Sequence, residues 1–167
     1  LTIPNSVNTI GEHCFSYCSL ITNLEISNSI KIISPYSFYQ LINLKNLIIP
    51  DSITDIQNYA FSNCRNLQSI TFGDGLKKIG PFAFTSNFEL LSVDMPNSVV
   101  ELGQRCFNLC RKLHSLTLSN QIQIIGNHSF AECSMLSGTL TIPDSVTRIN
   151  SYAFYKCGNI NSLILGP

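Results

Sequence analysis

A chain of 167 residues with ten basic and ten acidic side chains carries no net charge, and its apolar runs fall far short of the roughly 20 residues that cross a bilayer. The charges are scattered, Lys77–Lys78 and Arg111–Lys112 being the densest basic spots, so neither nucleic acid nor an anionic membrane is an expected partner. Hydrophobic residues make up 44%, enough for a sizeable core. The chain opens without a start methionine or an apolar leader and begins and ends inside a patterned segment, so it reads as a slice of a longer protein.

The stretch LTIPNSVNTIGEHCFSYC at 1–18 returns as LTIPDSVTRINSYAFYKC at 140–157, with nine of eighteen positions identical. The unit restarts at Leu1, Leu24, Leu47, Ile70, Val93, Leu116, Leu140 and Leu163, at intervals of 23 residues with one of 24. Residues 1–167 therefore read as a single array of seven repeats and the opening of an eighth.

Within each unit the elements follow one order. Apolar positions 1 and 3 alternate with polar positions 23 and 2, which is strand spacing. A turn of the form P-[N/D]-S comes next, the proline fixing φ and the Asn or Asp bonding its own backbone. Positions 7–10, with Val, Ile or Leu at 7 and Ile or Leu at 10, form a second extended segment. Positions 14, 15 and 18 lie three and four apart, which predicts a two-turn helix starting near position 11, with Pro35 and Pro81 suited to its first turn. Position 15 is Phe in all seven repeats, from Phe15 to Phe154. One unit is a single strand thick and buries none of these columns alone. Stacked coils bury them all, each column meeting its copies about 4.8 Å away in a parallel sheet, with the phenylalanines as a ladder. The added residue of the sixth repeat, Gly138, suits a bulge entering the strand.

The columns L-x-I-P-x-S-V-x-x-I-G-x-x-A-F-x-x-C-x-x-L resemble the BspA-like class of leucine-rich repeats, best in repeats 1, 3 and 7. Repeats 2, 4 and 6 depart at the proline column with Ser27, Gly73 and Ser119. The resemblance implies an α/β fold, a right-handed leucine-rich-repeat solenoid with a parallel β-sheet on its concave face and short helices on its convex face. It also implies cell-surface or secreted proteins used for adhesion to host or matrix proteins; a cytoplasmic site stays open.

Candidate chemistry is sparse. Five cysteines occupy position 18, and Cys14 and Cys106 occupy position 14; both columns face inward, so the thiols read as small, free, buried core groups. The pairs Cys14/Cys18 and Cys106/Cys110 lie four repeats apart, roughly 19 Å at the sheet spacing, too far for one zinc ion. His13 and His128 are five repeats apart, about 24 Å by the same spacing, and no nucleophile and base converge, so no enzyme and no cofactor are expected. The Asx column, Asn5 to Asp144, reads as turn capping and not as a calcium row, because four of its seven members are neutral amides. The glycines of FGDGLKKIG (72–80) lack phosphate-loop spacing. Asn127-His128-Ser129 is a lone glycosylation sequon, relevant only to an exported chain.

Inward columns are fixed by packing, so partner choice falls on outward ones. The candidate protein-binding face is position 2, which varies in charge and size: Glu25, Ile48, Thr71, Asp94, Thr117 and Thr141, after Thr2. Position 23 is uniformly small and polar and reads as a hydrogen-bonding row. Tyr36, Tyr59, Phe82 and Tyr152 at position 13, on the convex side, form a broken aromatic stripe, read as packing of rings between neighbouring helices. Two functions compete: a non-catalytic binding or adhesion module, and an intracellular scaffold or spacer. Apolar coil ends also point to end-to-end self-association.

Overall fold

The structure is a computed structural model that describes residues 1–166. Short parallel strands succeed one another as β1 (Ile32–Ile33), β2 (Asn46–Ile49), β3 (Asp55–Ile56), β4 (Ser69–Phe72), β5 (Lys78–Ile79), β6 (Ser92–Asp94), β7 (Glu101–Leu102), β8 (Ser115–Thr117), β9 (Ile124–Ile125), β10 (Ser137–Ile142), β11 (Arg148–Ile149) and β12 (Asn159–Leu165). Even-numbered strands come from the start of each repeat, odd-numbered ones from positions 9 and 10. Pairing joins like positions of successive repeats: Leu47 faces Ile70, Val93 faces Leu116, and Ile56 faces Ile79. The chain is thus a parallel β-solenoid in which one repeat makes one coil.

The phenylalanine column holds the coils together. Phe38, Phe61, Phe84, Phe107 and Phe130 are fully buried, while Phe15 and Phe154 are half-buried because each has one neighbour. Successive rings are nearly parallel with centroids 5.1–5.6 Å apart. Such stacked pairs add about 0.5–1.5 kcal/mol each beyond area burial. The inward strand residues Leu47, Ile49, Val93 and Leu140 close the other side of the core.

The first sheet face is divided into pairs of strands. Its ladders are β2–β4, β6–β8 and β10–β12, with a bridge between Thr2 and Glu25, so repeats 1–2, 3–4, 5–6 and 7–8 are bonded in pairs. Between those pairs, β4 lies beside β6 and β8 beside β10 without a ladder. Odd repeats carry Pro4, Pro50, Pro96 and Pro143, which have no N–H to donate to the preceding coil; even repeats carry Ser27, Gly73, Ser119 and Gly166. Of these four even-repeat residues, Gly166 donates its N–H to the preceding coil, to the Ile142 carbonyl at 3.3 Å, and Ser27, Gly73 and Ser119 do not. A proline stands at each unladdered junction. Gly73 is also forced by contact, since a Cβ there would lie 2.5 Å from the Asp51 nitrogen.

The P-[N/D]-S segment turns as expected, with Val7 N–H donating to Pro4 C=O at 2.9 Å and Ile53 N–H to Pro50 C=O at 3.0 Å. The Asx side chains do not bond their own backbone. Asn5, Asp51 and Asn97 accept instead from the backbone N–H of Asn28, Asp74 and Asn120 in the next coil, at 3.0–3.1 Å. Each again joins an odd repeat to the following even one. The bulge at Gly138 is present: φ is 80° and the β10–β12 register shifts between Gly138 and Thr139.

The expected helices do not form: no helix occurs among the described residues, so the fold is all-β and not α/β. Every repeat instead places positions 13 and 17 at positive φ, from His13 (56°) and Tyr17 (61°) to Tyr152 (60°) and Lys156 (60°). Left-handed residues interrupt an α-helix. The physical reason lies in the backbone bonds. The N–H groups of positions 13, 15 and 17 donate across to the next coil, as Tyr36 to Asn58, Phe38 to Ala60 and Gln40 to Ser62 at 2.9–3.0 Å. Positions 14 and 16 close turns within the coil, as Ser37 to Ser34 and Tyr39 to Tyr36. An α-helix starting near position 11 would turn the N–H groups of positions 15, 16 and 17 to its own carbonyls and take them away from the neighbouring coil. Pro35 and Pro81 fit either geometry, because a tight turn with positive φ at its third residue also favours proline at its second.

Candidate interaction surfaces

Strand pleating sends alternate residues outward, and β2 shows it in its exposed–buried–exposed–buried order. Glu25, Ile48, Thr71, Asp94, Thr117 and Thr141 are all exposed. The structure brings them together in pairs: Ile48 faces Thr71, Asp94 faces Thr117, and Thr141 faces Ile164. Ile48 stands out, a large aliphatic side chain 65% exposed. Around it, Glu25, Pro50, Asp51 and Phe72 line a shallow depression of about 410 Å³ at the unladdered junction of repeats 2 and 3. Thr2 Oγ1 donates to Glu25 Oε2 at 2.9 Å, and in the position-23 row Ser69 Oγ donates to Asn46 Oδ1 at 2.7 Å. Ion pairs lie elsewhere: Lys78–Glu101, Lys112–Glu89 and Lys156–Glu132 each link one coil to the next.

The position-13 stripe is continuous over its first four members. His13, Tyr36, Tyr59 and Phe82 stack face to face at 4.5–4.7 Å, and the Arg105 guanidinium continues the column 5.7 Å from the Phe82 centroid. His128 stacks on Tyr152 at 4.8 Å. His13 and His128 are thus members of packing columns at opposite ends of the stack.

The cysteines are free, and most are buried. Cys14 and Cys18 are exceptions: both are exposed, because the first coil has a neighbour on one side only. The buried thiols do more than fill space. Cys64, Cys110, Cys133 and Cys157 donate to the carbonyl of the phenylalanine one coil back, at 3.1–3.4 Å. Asn87 replaces cysteine in repeat 4 and donates through Nδ2 to the Phe61 carbonyl at 3.2 Å, so the apparent departure performs the same bond. Burial pushes the Cys64 and Cys106 thiols up to about 12 and raises Cys110 as well. These three thiols are held protonated by burial, whereas the Cys133 thiol, hydrogen-bonded to Cys157, lowers the latter. In the sequon, Asn127 is exposed, whereas Ser129 is fully buried with its hydroxyl donating to the Gly126 carbonyl at 2.8 Å.

The profile of the BspA type leucine rich repeat region matches residues 1–114 and 31–161, in six copies. The chain belongs to the BspA-type leucine-rich repeat family. A leucine-rich repeat protein from Bacteroides ovatus is 27% identical with a TM-score of 0.87, the match covering 94% of this chain and 40% of that one. One from Eubacterium ventriosum is 29% identical with a TM-score of 0.86, covering 93% and 42% respectively. The pneumococcal vaccine antigen PcpA is 25% identical with a TM-score of 0.67, covering 86% of this chain and 38% of that one. The BspA-type chain thus spans about two fifths of the length of these relatives. No curated protein sequence matches it.

Proposed function

We propose that this BspA-type array is a non-catalytic protein-binding module, used for adhesion at a cell surface or in secreted form, and that Glu25, Ile48, Thr71, Asp94, Thr117 and Thr141 are its contact row. Leucine-rich repeat folds commonly bind proteins and are generally non-enzymatic. The supporting observation is the row itself: six exposed side chains of varied chemistry on a sheet braced by a buried core. Such a surface meets a partner without first paying to order its backbone. The external location draws on the family and on PcpA, which is described as a vaccine antigen.

A photo-crosslinking residue at position 48 should trap a protein partner, and Ile48→Asp should abolish capture of that same partner. Equal capture from position 124, on the strand β9 side, would leave the row without a role and favour a spacer. Antibodies against the chain should stain intact source cells; staining only after permeabilisation refutes the external location. End-to-end association belongs to this reading too, supported by Leu163, Ile164 and Leu165, which are 52–60% exposed on β12. Sedimentation should show assembly that rises with concentration and falls with Ile164→Lys.

A further inference from the structure

Position 19 carries Arg65, Phe88 and Arg111 in three successive coils. Like positions stack, so the Phe88 ring lies between two guanidinium groups, Arg65 Cζ 5.8 Å and Arg111 Cζ 5.2 Å from its centroid. One arginine comes from the coil before and the other from the coil after, placing them on opposite faces of the ring. Taken end to end, the two distances put about 11 Å between the guanidinium centres. Attraction to the ring face restrains side chains that would otherwise sample many rotamers.

Both arginines are exposed, and neither forms an ion pair among the described residues. The carboxylate of this ridge, Glu89, is held by Lys112 at 2.6 Å. The patch therefore keeps two uncompensated positive charges on a chain of zero net charge. A guanidinium fork matches a carboxylate with two parallel hydrogen bonds. In a polyproline II segment, side chains three residues apart share a side and lie roughly 9 Å from one another, close to the span of the two forks. Glu89, beside the ring, repels a polyanion charged continuously along its length but leaves room for two separate carboxylates.

We propose that the Arg65–Phe88–Arg111 ridge binds an acidic peptide segment, one carboxylate taken by each arginine. The site shares no residue with the position-2 row and does not depend on it.

The test is fluorescence anisotropy of the whole chain with a labelled Glu-Pro-Pro-Glu peptide, a Gln-Pro-Pro-Gln control, and a sulfated polysaccharide as competitor. Saturable binding of the Glu peptide that weakens with salt is expected, with none for the Gln peptide. Arg65→Gln and Arg111→Gln should each weaken it about tenfold, the loss of one charge-assisted pair. Glu89→Gln should tighten it, and Arg65→Lys, which keeps the charge but not the fork, should bind less well than the unchanged chain. Absence of saturable binding, or full binding by the folded double glutamine variant, overturns the site. Tighter binding of the polysaccharide than of the peptide overturns the peptide assignment.

Discussion

On one side of each coil the backbone runs extended and pairs with its neighbour as strands; on the other it passes through consecutive tight turns with two left-handed residues. Both sides present evenly spaced apolar columns to one core, and both bond coil to coil through the main chain. They differ in how far side-chain spacing reports backbone shape. A period of two admits little but a strand, whereas spacings of three and four suit an α-helix and a chain of tight turns alike. What separates those two is the destination of the N–H groups, and side-chain spacing does not carry that information.

The comparison breaks first at Phe84. Truncation to alanine should cost about 3–5 kcal/mol in a denaturant melt, as for other core aromatics; a loss below 1 kcal/mol would mean the turn side is not packed.

Alkaline pH sharpens it next. The buried Cys64 and Cys106 thiols sit near 12 when folded, against an ordinary value of 9.0 when unfolded. Above 9 the unfolded chain gives up protons that the folded chain keeps, so stability falls with rising pH up to about 12, by roughly 1.4 kcal/mol per unit per thiol. Cys64→Ser should flatten that slope between pH 9.5 and 11; an unchanged slope would deny the thiol its buried place.

Asn87→Leu removes the donor to the Phe61 carbonyl and should cost about 1–3 kcal/mol. Asn87→Cys should be neutral or stabilising, since Asn87 Oδ1 is buried without a partner among the described residues. If Leu proves the better replacement, the account of that bond is wrong.

Ser86, at φ 60°, gives the sign test for the helix correction. Ser86→Gly should leave stability unchanged or raise it by up to about 1 kcal/mol, because glycine takes that φ freely. A helix interior would lose about that amount. On the strand side, Thr71→Ala should shift the melt by about 0.5 kcal/mol or less, as exposed changes do.

Much of this arrangement is legible in the sequence. The 23-residue spacing, the inward phenylalanines and the Gly138 bulge follow from columns and one extra residue. The role of position 18 was hidden, since a cysteine column looks apolar and the carbonyl it meets belongs to the coil before. Asn87 then stops being an exception. The alternation of proline with serine or glycine at position 4 is visible as departures, but its match to the unladdered junctions appears only when the neighbouring strand is in place. The ridge around Phe88 escaped for a similar reason: position 19 is variable, and its three members matter because they touch.

By itself the sequence determined the repeat length, the residues that share a core and the rows left facing outward, because burial of apolar side chains follows period alone. The tertiary structure decided the backbone path on the turn side, the pairing of first-face strands in twos and the partners of the thiols. Those depend on where each N–H and C=O finds its opposite number, and in a solenoid that partner lies in the next coil.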